Sequence, residues 1–219
     1  MPKIVNEGRR VINNIKDSAS LYIMKTFLIL TLAVTCILTN CSYFFTTSNM
    51  MLYEFFISAI PSFVISLQPN TNRVKGKFIP FVLSRALPGA LTLAIGILSI
   101  FILHKTPLAS QFGFINAAGE DTLQYNALMT MALTFIGLVM LFRICQPFNN
   151  VRTVLYLATV FCCLIVFAVP MLGEVVFAGW STLSFSVNQI MLLIIILQAS
   201  IPISKALIKA FDLMNINVE

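Results

Sequence analysis

Charged residues cut this sequence into long uncharged blocks. Setting aside Lys25 and Glu54, these blocks run over 26–53, 55–72, 86–103, 122–142, 153–173 and 175–204. A helix needs about 20 apolar residues to cross a hydrocarbon core, so the pattern predicts six spanning helices near 22–41, 50–67, 84–103, 125–142, 153–171 and 184–203. Upstream, Val11, Ile15, Ala19 and Tyr22 recur at helical spacing, and Arg10, Asn13, Asn14 and Asp17 take the other faces. No proline falls between Pro2 and Pro61. The segment therefore predicts either a stalk helix running straight into the first span or an amphipathic helix lying on the membrane surface. The expected fold is all-α: a polytopic membrane helix bundle forming one membrane domain over 1–219. It comprises a cytoplasmic stalk (1–21), six transmembrane helices (22–203) and a cytoplasmic tail (204–219).

Composition sharpens this picture. Of 219 residues, 58% are hydrophobic and 10% charged, and the mean hydropathy is +0.92. Soluble domains are about a quarter charged, so an ordinary soluble enzyme is excluded. The net charge of +6 is unevenly placed. Lys3, Arg9, Arg10 and Lys16 precede the first span, and Arg73, Lys75, Lys77 and Arg85 follow the second. Arg143 and Arg152 flank the fourth connection, and Lys205 and Lys209 follow the last span. The opposite side holds Lys105 with His104, Glu120, Asp121 and Glu174. By the positive-inside rule both termini are expected in the cytoplasm. The same distribution accounts for the basic pI, and no cluster combines basic density with the interleaved aromatics of a nucleic-acid surface. The polar N-terminus is not a signal peptide.

The remaining polar groups are read conservatively. Cys36, Cys41, Cys145, Cys162 and Cys163 lack metal-type spacing and are expected as small buried residues without a disulfide framework. Asn126, Thr130, Thr134, Asn188 and Gln189 are expected to join helices by hydrogen bonds. His104 reads as a solvated interfacial residue, and Pro88-Gly89 and Pro170 as kinks.

Lys25 and Glu54 remain inside apolar blocks. A carboxylate there costs about 2–3 kcal/mol or more unless it is paired, protonated or bound to a cation. Pro61 lacks an N–H and clashes with the carbonyl four residues back, which frees the Ile57 carbonyl one turn after Glu54. That carbonyl, the Glu54 carboxylate and the Ser58 hydroxyl are hard oxygen donors on one helical face. Ca²⁺ takes about six to eight oxygens, so they supply part of a shell. The alternatives are a Lys25 that snorkels to the headgroups, a Glu54 at the outer interface and a proline kink that serves packing.

Two stretches resemble a known family. Glu7-Gly8-Arg9-Arg10-Val11-Ile12-Asn13-Asn14-Ile15 resembles the segment through which P-type ATPases leave their phosphorylation domain and enter the fifth membrane helix. Ile60-Pro61-Ser62-Phe63, Leu67-Gln68-Pro69-Asn70 and the basic run Arg73-Val74-Lys75-Gly76-Lys77 are similar to the end of the sixth helix and the loop after it. Together with Arg85-Ala86-Leu87-Pro88-Gly89-Ala90 they look like the bacterial E-type cation pumps, some of which handle Ca²⁺. The resemblance covers essentially the whole chain, as the fifth to tenth helices.

The resemblance implies a site. In the calcium-pump branch, an oxygen ligand stands seven residues before the sixth-helix proline and an acid three before it; here those positions hold Glu54 and Ser58, so the carboxylate is shifted by one turn. The fifth-helix amide and acid positions fall on Thr26 and Ile29, so one ligand becomes a hydroxyl and the other is lost. The implied ligand set is Glu54, Ser58, Thr26 and the Ile57 carbonyl, with Lys25 balancing charge, Pro61 breaking the helix, and at most one strong cation site. The family's Asp-Lys-Thr-Gly and Gly-Asp-Gly-x-Asn-Asp motifs do not occur here. ATP and Mg²⁺ would then be used by domains outside this chain, which alone is expected to lack ATPase activity and a bound cofactor. The implied partners are the lipid bilayer of a bacterial plasma membrane and an N-terminal pump half: the first four helices with the actuator, phosphorylation and nucleotide domains. The alternative is an independent six-helix channel or carrier, or a pump-associated membrane protein, although the first three spans show no clear repeat in the last three.

Overall fold

A computed structural model describes residues 2–70, 77–116, 121–176 and 179–215. Arg73, Lys75, Glu120 and the last four residues of the expected tail lie outside the described residues. Helix α1 (Pro2–Thr39) is uninterrupted, so the stalk and first span form one rod of about 57 Å. The second span is α2 (Thr47–Leu52), a π-helical turn (Tyr53–Ala59) and α3 (Ile60–Ser66). Then follow α4 (Phe78–His104), α5 (Leu123–Ile144), α6 (Asn150–Ala168), the short α7 (Pro170–Val176) and α8 (Val187–Asn215). Local chemistry marks several starts. The side chains of Thr46, Thr122 and Asn149 cap α2, α5 and α6 by accepting from backbone N–H groups three residues on. Among the described residues, six helices are long and apolar enough to cross a membrane. The protein is an all-α polytopic membrane helix bundle.

Three boundaries differ from the sequence expectation. Helix α4 starts six residues before position 84, at Phe78. Helix α8 continues past 203 to Asn215, so most of the expected tail is helical. Pro170 does not kink a span: α6 ends at Ala168, Val169 is extended, and Pro170 opens α7 at the position where its missing N–H costs nothing. Pro88, in contrast, lies inside a continuous α4.

Helices α4 and α5 form the centre, with 61% and 72% of their most apolar stretches buried, against 28%, 22% and 22% for α1, α6 and α8. Glycines set two close approaches. A Cβ on Gly89 would stand 2.5 Å from the Met24 sulfur, so α1 packs tightly on α4. A Cβ on Gly137 would stand 2.5 Å from Ile57 Cδ1 and 2.9 Å from Tyr53 Cε2, which lets the π-helical turn lie against α5. Gly137→Ala is expected to destabilise the bundle by about 1–3 kcal/mol through overpacking, read by equilibrium unfolding in mixed micelles. Unchanged stability would mean that the π-helical turn can retreat.

The inner face of the stalk corrects the sequence reading. Val11, Ile15 and Tyr22 are exposed, and Asn14, Asp17 and Ser20 are buried. The polar face turns inward because partners wait there. Asn14 Nδ2 donates to the carbonyls of Ser66 at 3.0 Å and Gln68 at 2.6 Å. Asp17 receives Arg85 Nη1 at 2.7 Å on one oxygen and Arg152 Nη2 at 2.7 Å on the other. Arg152 Nε donates to Gln68 Oε1 at 2.9 Å. Two residues read as topology markers thus tie α1, α4 and α6 together, with the end of α3 joined through Gln68.

Cys145, at the end of α5 beside this network, is fully buried. Burial pushes its thiol up to about 11, with the nearby Arg152 pulling the other way. At pH 7.5 it is a protonated, inaccessible thiol. Maleimide is expected to spare Cys145 in the folded protein and label it after denaturation, as peptide mass mapping would read. Rapid labelling of folded protein would contradict the packing at this end.

At the other end His104 is buried, not solvated. Its ring stacks on Tyr125 at 4.4 Å, and Nε2 lies 2.8 Å from Asp121 Oδ1. The span hydroxyls also behave differently from expectation. Thr130 and Thr134 donate to carbonyls of their own helix. Gln189 instead reaches the loop, donating to the Phe112 carbonyl at 2.7 Å, and Asn188 is exposed.

Candidate cation site

Pro61 disturbs the second span on its N-terminal side. The Ile60 N–H, which would bond Phe56 in an α-helix, reaches back five residues to the Phe55 carbonyl. Pro61 has no N–H for Ile57, its ordinary partner four residues back. The span therefore widens into a π-helical turn over Tyr53–Ala59, a feature that often marks functional positions. Glu54 stands on the first turn of this segment.

Across from it, Lys25 reaches out of α1. Its Nζ lies 2.6 Å from Glu54 Oε1, with side-chain exposures of 24% and 45%. The structure thus joins the two charges left over inside the apolar blocks into an ion pair between the first two spans. Lys25 and Glu54 are thus each other's partners.

The other expected ligands divide. Ser58 and Ile57 are buried on the π-helical turn, and the Ser58 hydroxyl has no hydrogen-bond partner. Thr26, one residue beyond Lys25, lies on the exposed side of α1 and donates its hydroxyl to the Tyr22 carbonyl at 3.0 Å. Two hydroxyls escaped the sequence reading. Tyr53 is fully buried on the same turn and Ser62 is buried on α3, and both side-chain oxygens lack partners. An unpaired buried hydroxyl costs about 1–3 kcal/mol. Three of them lie along the broken helix that also carries Glu54.

These are hard oxygens, and the Lys25 ammonium sits on the carboxylate of Glu54. Such oxygens suit Na⁺, Mg²⁺ or Ca²⁺ rather than a soft metal. Among the described residues no three His, Cys, Asp or Glu side chains gather as a closed metal cage. Ca²⁺ takes about six to eight oxygens, so the oxygens of this helix number too few for a complete shell.

Comparison with known proteins finds relatives among cation-transporting ATPases. The probable cation-transporting ATPase exp7 of Streptococcus pneumoniae is 31% identical over 163 residues, which cover 71% of this chain and 20% of that protein. The calcium-transporting ATPase CtpE of Mycobacterium bovis is 27% identical over 184 residues, covering 80% of this chain and 22% of that protein. CtpE of Mycolicibacterium smegmatis is 25% identical over the same length and shares. The chain therefore spans about a fifth of the length of the curated relatives it matches. No family model and no solved structure matches it.

Proposed function

We propose, on the premise that this chain is similar to the C-terminal membrane region of P-type cation-transporting ATPases, that it supplies part of the cation pathway of such a pump. The observation that carries this reading is the Lys25–Glu54 pair beside the turn that Pro61 opens. Glu54, the Ser58 hydroxyl and the Ile57 carbonyl are the ligands proposed from this chain. Thr26 joins them if α1 rotates or if packing covers its exposed face. Lys25 balances the charge of Glu54 while no cation is bound and is displaced when one arrives. Ca²⁺ is the proposed cargo, since CtpE is named a calcium-transporting ATPase and every proposed ligand here is an oxygen.

ATP hydrolysis and Mg²⁺ belong, in this reading, to soluble domains that this chain does not contain. The partner is an N-terminal pump half with four helices and those domains. The continuous α1 is the rod through which their movement reaches Glu54. The positive-inside rule places both of this chain's termini in the cytoplasm.

The test joins this chain to the N-terminal part of the pneumococcal relative and measures ATP-driven ⁴⁵Ca²⁺ uptake into inverted vesicles. Uptake that needs both parts is expected. Vanadate-sensitive ATP hydrolysis by this chain alone would sink the reading, and ion flux through the chain alone without ATP would favour an independent channel or carrier.

A further inference from the structure

Helix α1 ends in a turn that brings two cysteines together. Asn40 follows the last helical residue with a φ of 51°, a left-handed conformation that asparagine tolerates. The Cys41 N–H then donates to the Cys36 carbonyl at 3.1 Å, the reach of a Schellman cap. In that cap the side chains at these two positions commonly touch, and here the two thiols are neighbours. With standard bond lengths, the 3.1 Å hydrogen bond keeps the two Cα atoms within about 7 Å even along a straight path, the limit that a disulfide can bridge. The turn bends that path and brings them closer. The loop carrying Cys41 is anchored, since Phe44 meets the Phe101 ring of α4 edge-on at 4.9 Å and Phe45 is buried. Both cysteines are free thiols. Cys36 is buried, whereas Cys41 is half-buried and lines a gap of about 120 Å³ between this loop and the ends of α4 and α5. The other cysteines are placed differently: Cys162 and Cys163 are adjacent on α6, where consecutive side chains point apart, and Cys145 stands at the opposite end of the bundle.

We infer that this cap presents Cys36 and Cys41 as a reversible dithiol–disulfide pair, oxidised by exchange with a disulfide from outside the chain. The Cys41 thiolate attacks one sulfur of that disulfide and expels the other as a thiolate. The Cys36 thiolate then attacks Cys41 Sγ in the mixed disulfide and expels the second. The pair gives up two electrons and two protons, and the oxidant leaves as two thiols. The new bond staples the last turn of α1 to the loop leading into the second span, the one that carries Glu54. The pairing stands on the geometry of the cap. That it meets oxidants outside the cytoplasm rests on the topology proposed above.

The test uses the whole chain purified in detergent, where neither side of a membrane exists and the outcome does not depend on that topology. The reduced chain is exposed to oxidised glutathione, quenched with maleimide in denaturant and mapped by peptide mass. A peptide holding both Cys36 and Cys41, unlabelled and lighter by two hydrogens, is expected to accumulate at least roughly tenfold faster than any adduct at Cys145, Cys162 or Cys163. Dithiothreitol should reverse it. Cys41→Ser should stop the closure without changing helix content, and Cys145→Ser, Cys162→Ser and Cys163→Ser together should leave it intact. Asn40→Gly keeps the left-handed turn and should keep the rate, whereas Asn40→Val opposes that turn and should slow closure roughly tenfold. Two thiols that outlast excess oxidised glutathione in the folded chain would overturn the proposal. So would separate glutathione adducts on Cys36 and Cys41, or an unchanged rate in Asn40→Val.

Discussion

Asp17→Ala is expected to destabilise the bundle by about 3–5 kcal/mol, the usual result of removing one partner from a buried ion pair. Asp17 holds two guanidinium groups, Arg85 on one oxygen and Arg152 on the other, each at 2.7 Å. The two arginines differ in what remains once it is gone. Arg152 is 5% exposed, and without Asp17 its strong partner is the neutral Gln68 carbonyl oxygen. Arg85 is 33% exposed and rests over the Phe81 ring at 4.7 Å, so it can turn to water. Most of the loss therefore comes from the stranded Arg152. Equilibrium unfolding in mixed micelles should give a larger coupling energy for the Asp17 and Arg152 cycle than for Asp17 and Arg85. Asp17→Leu with Arg152→Met, which removes both buried charges, should be more stable than Asp17→Ala alone. A loss of less than about 1 kcal/mol in Asp17→Ala would show that water reaches Arg152.

This network also shows where the sequence stopped being informative. The six spans were legible because a long uncharged block has few alternatives once the membrane is the solvent. The continuity of α1 followed from the absence of proline. Which face of the stalk turned inward did not follow. Periodicity reports that apolar positions share a face, and in a membrane protein that face can be the one turned outward. Asn14 and Asp17 are buried because their partners come from 52 to 135 residues away, and no local pattern carries that information. His104 was misjudged for the same reason, since Asp121 and Tyr125 lie beyond a loop.

The candidate cation site was more legible. A lysine and a glutamate inside apolar blocks are costly enough to stand out, and Pro61 marks from the sequence alone where the helix is disturbed, but not the register in which the Ile60 N–H leaves Phe56 for Phe55. Ser62 and Tyr53 were missed because a hydroxyl in a span is normally satisfied by a backbone carbonyl, as Thr130 and Thr134 are here. Only the structure shows which hydroxyls are left over.

In a pump assembled from this chain and an N-terminal half, Glu54→Gln is expected to weaken Ca²⁺ affinity by roughly tenfold or more, about 1.4 kcal/mol. The amide keeps the size of the side chain but loses the charge that a cation needs. Lys25→Ala should act in the opposite direction. An arriving cation must displace an ammonium held at 2.6 Å from its own ligand, so removing the lysine removes a competitor. Apparent affinity should rise, and release on the far side should slow, because the built-in charge no longer returns to Glu54. Each cycle then moves a different net charge, and turnover should change its dependence on membrane potential. Opposite shifts are the signature of a working pair, since damage to packing would weaken both variants alike. The measurements are Ca²⁺-dependent ATP hydrolysis across a Ca²⁺ titration and uptake at imposed potentials. Wild-type affinity in Glu54→Gln removes the carboxylate from the pathway. An unchanged potential dependence in Lys25→Ala would leave the lysine as a packing partner of Glu54 only.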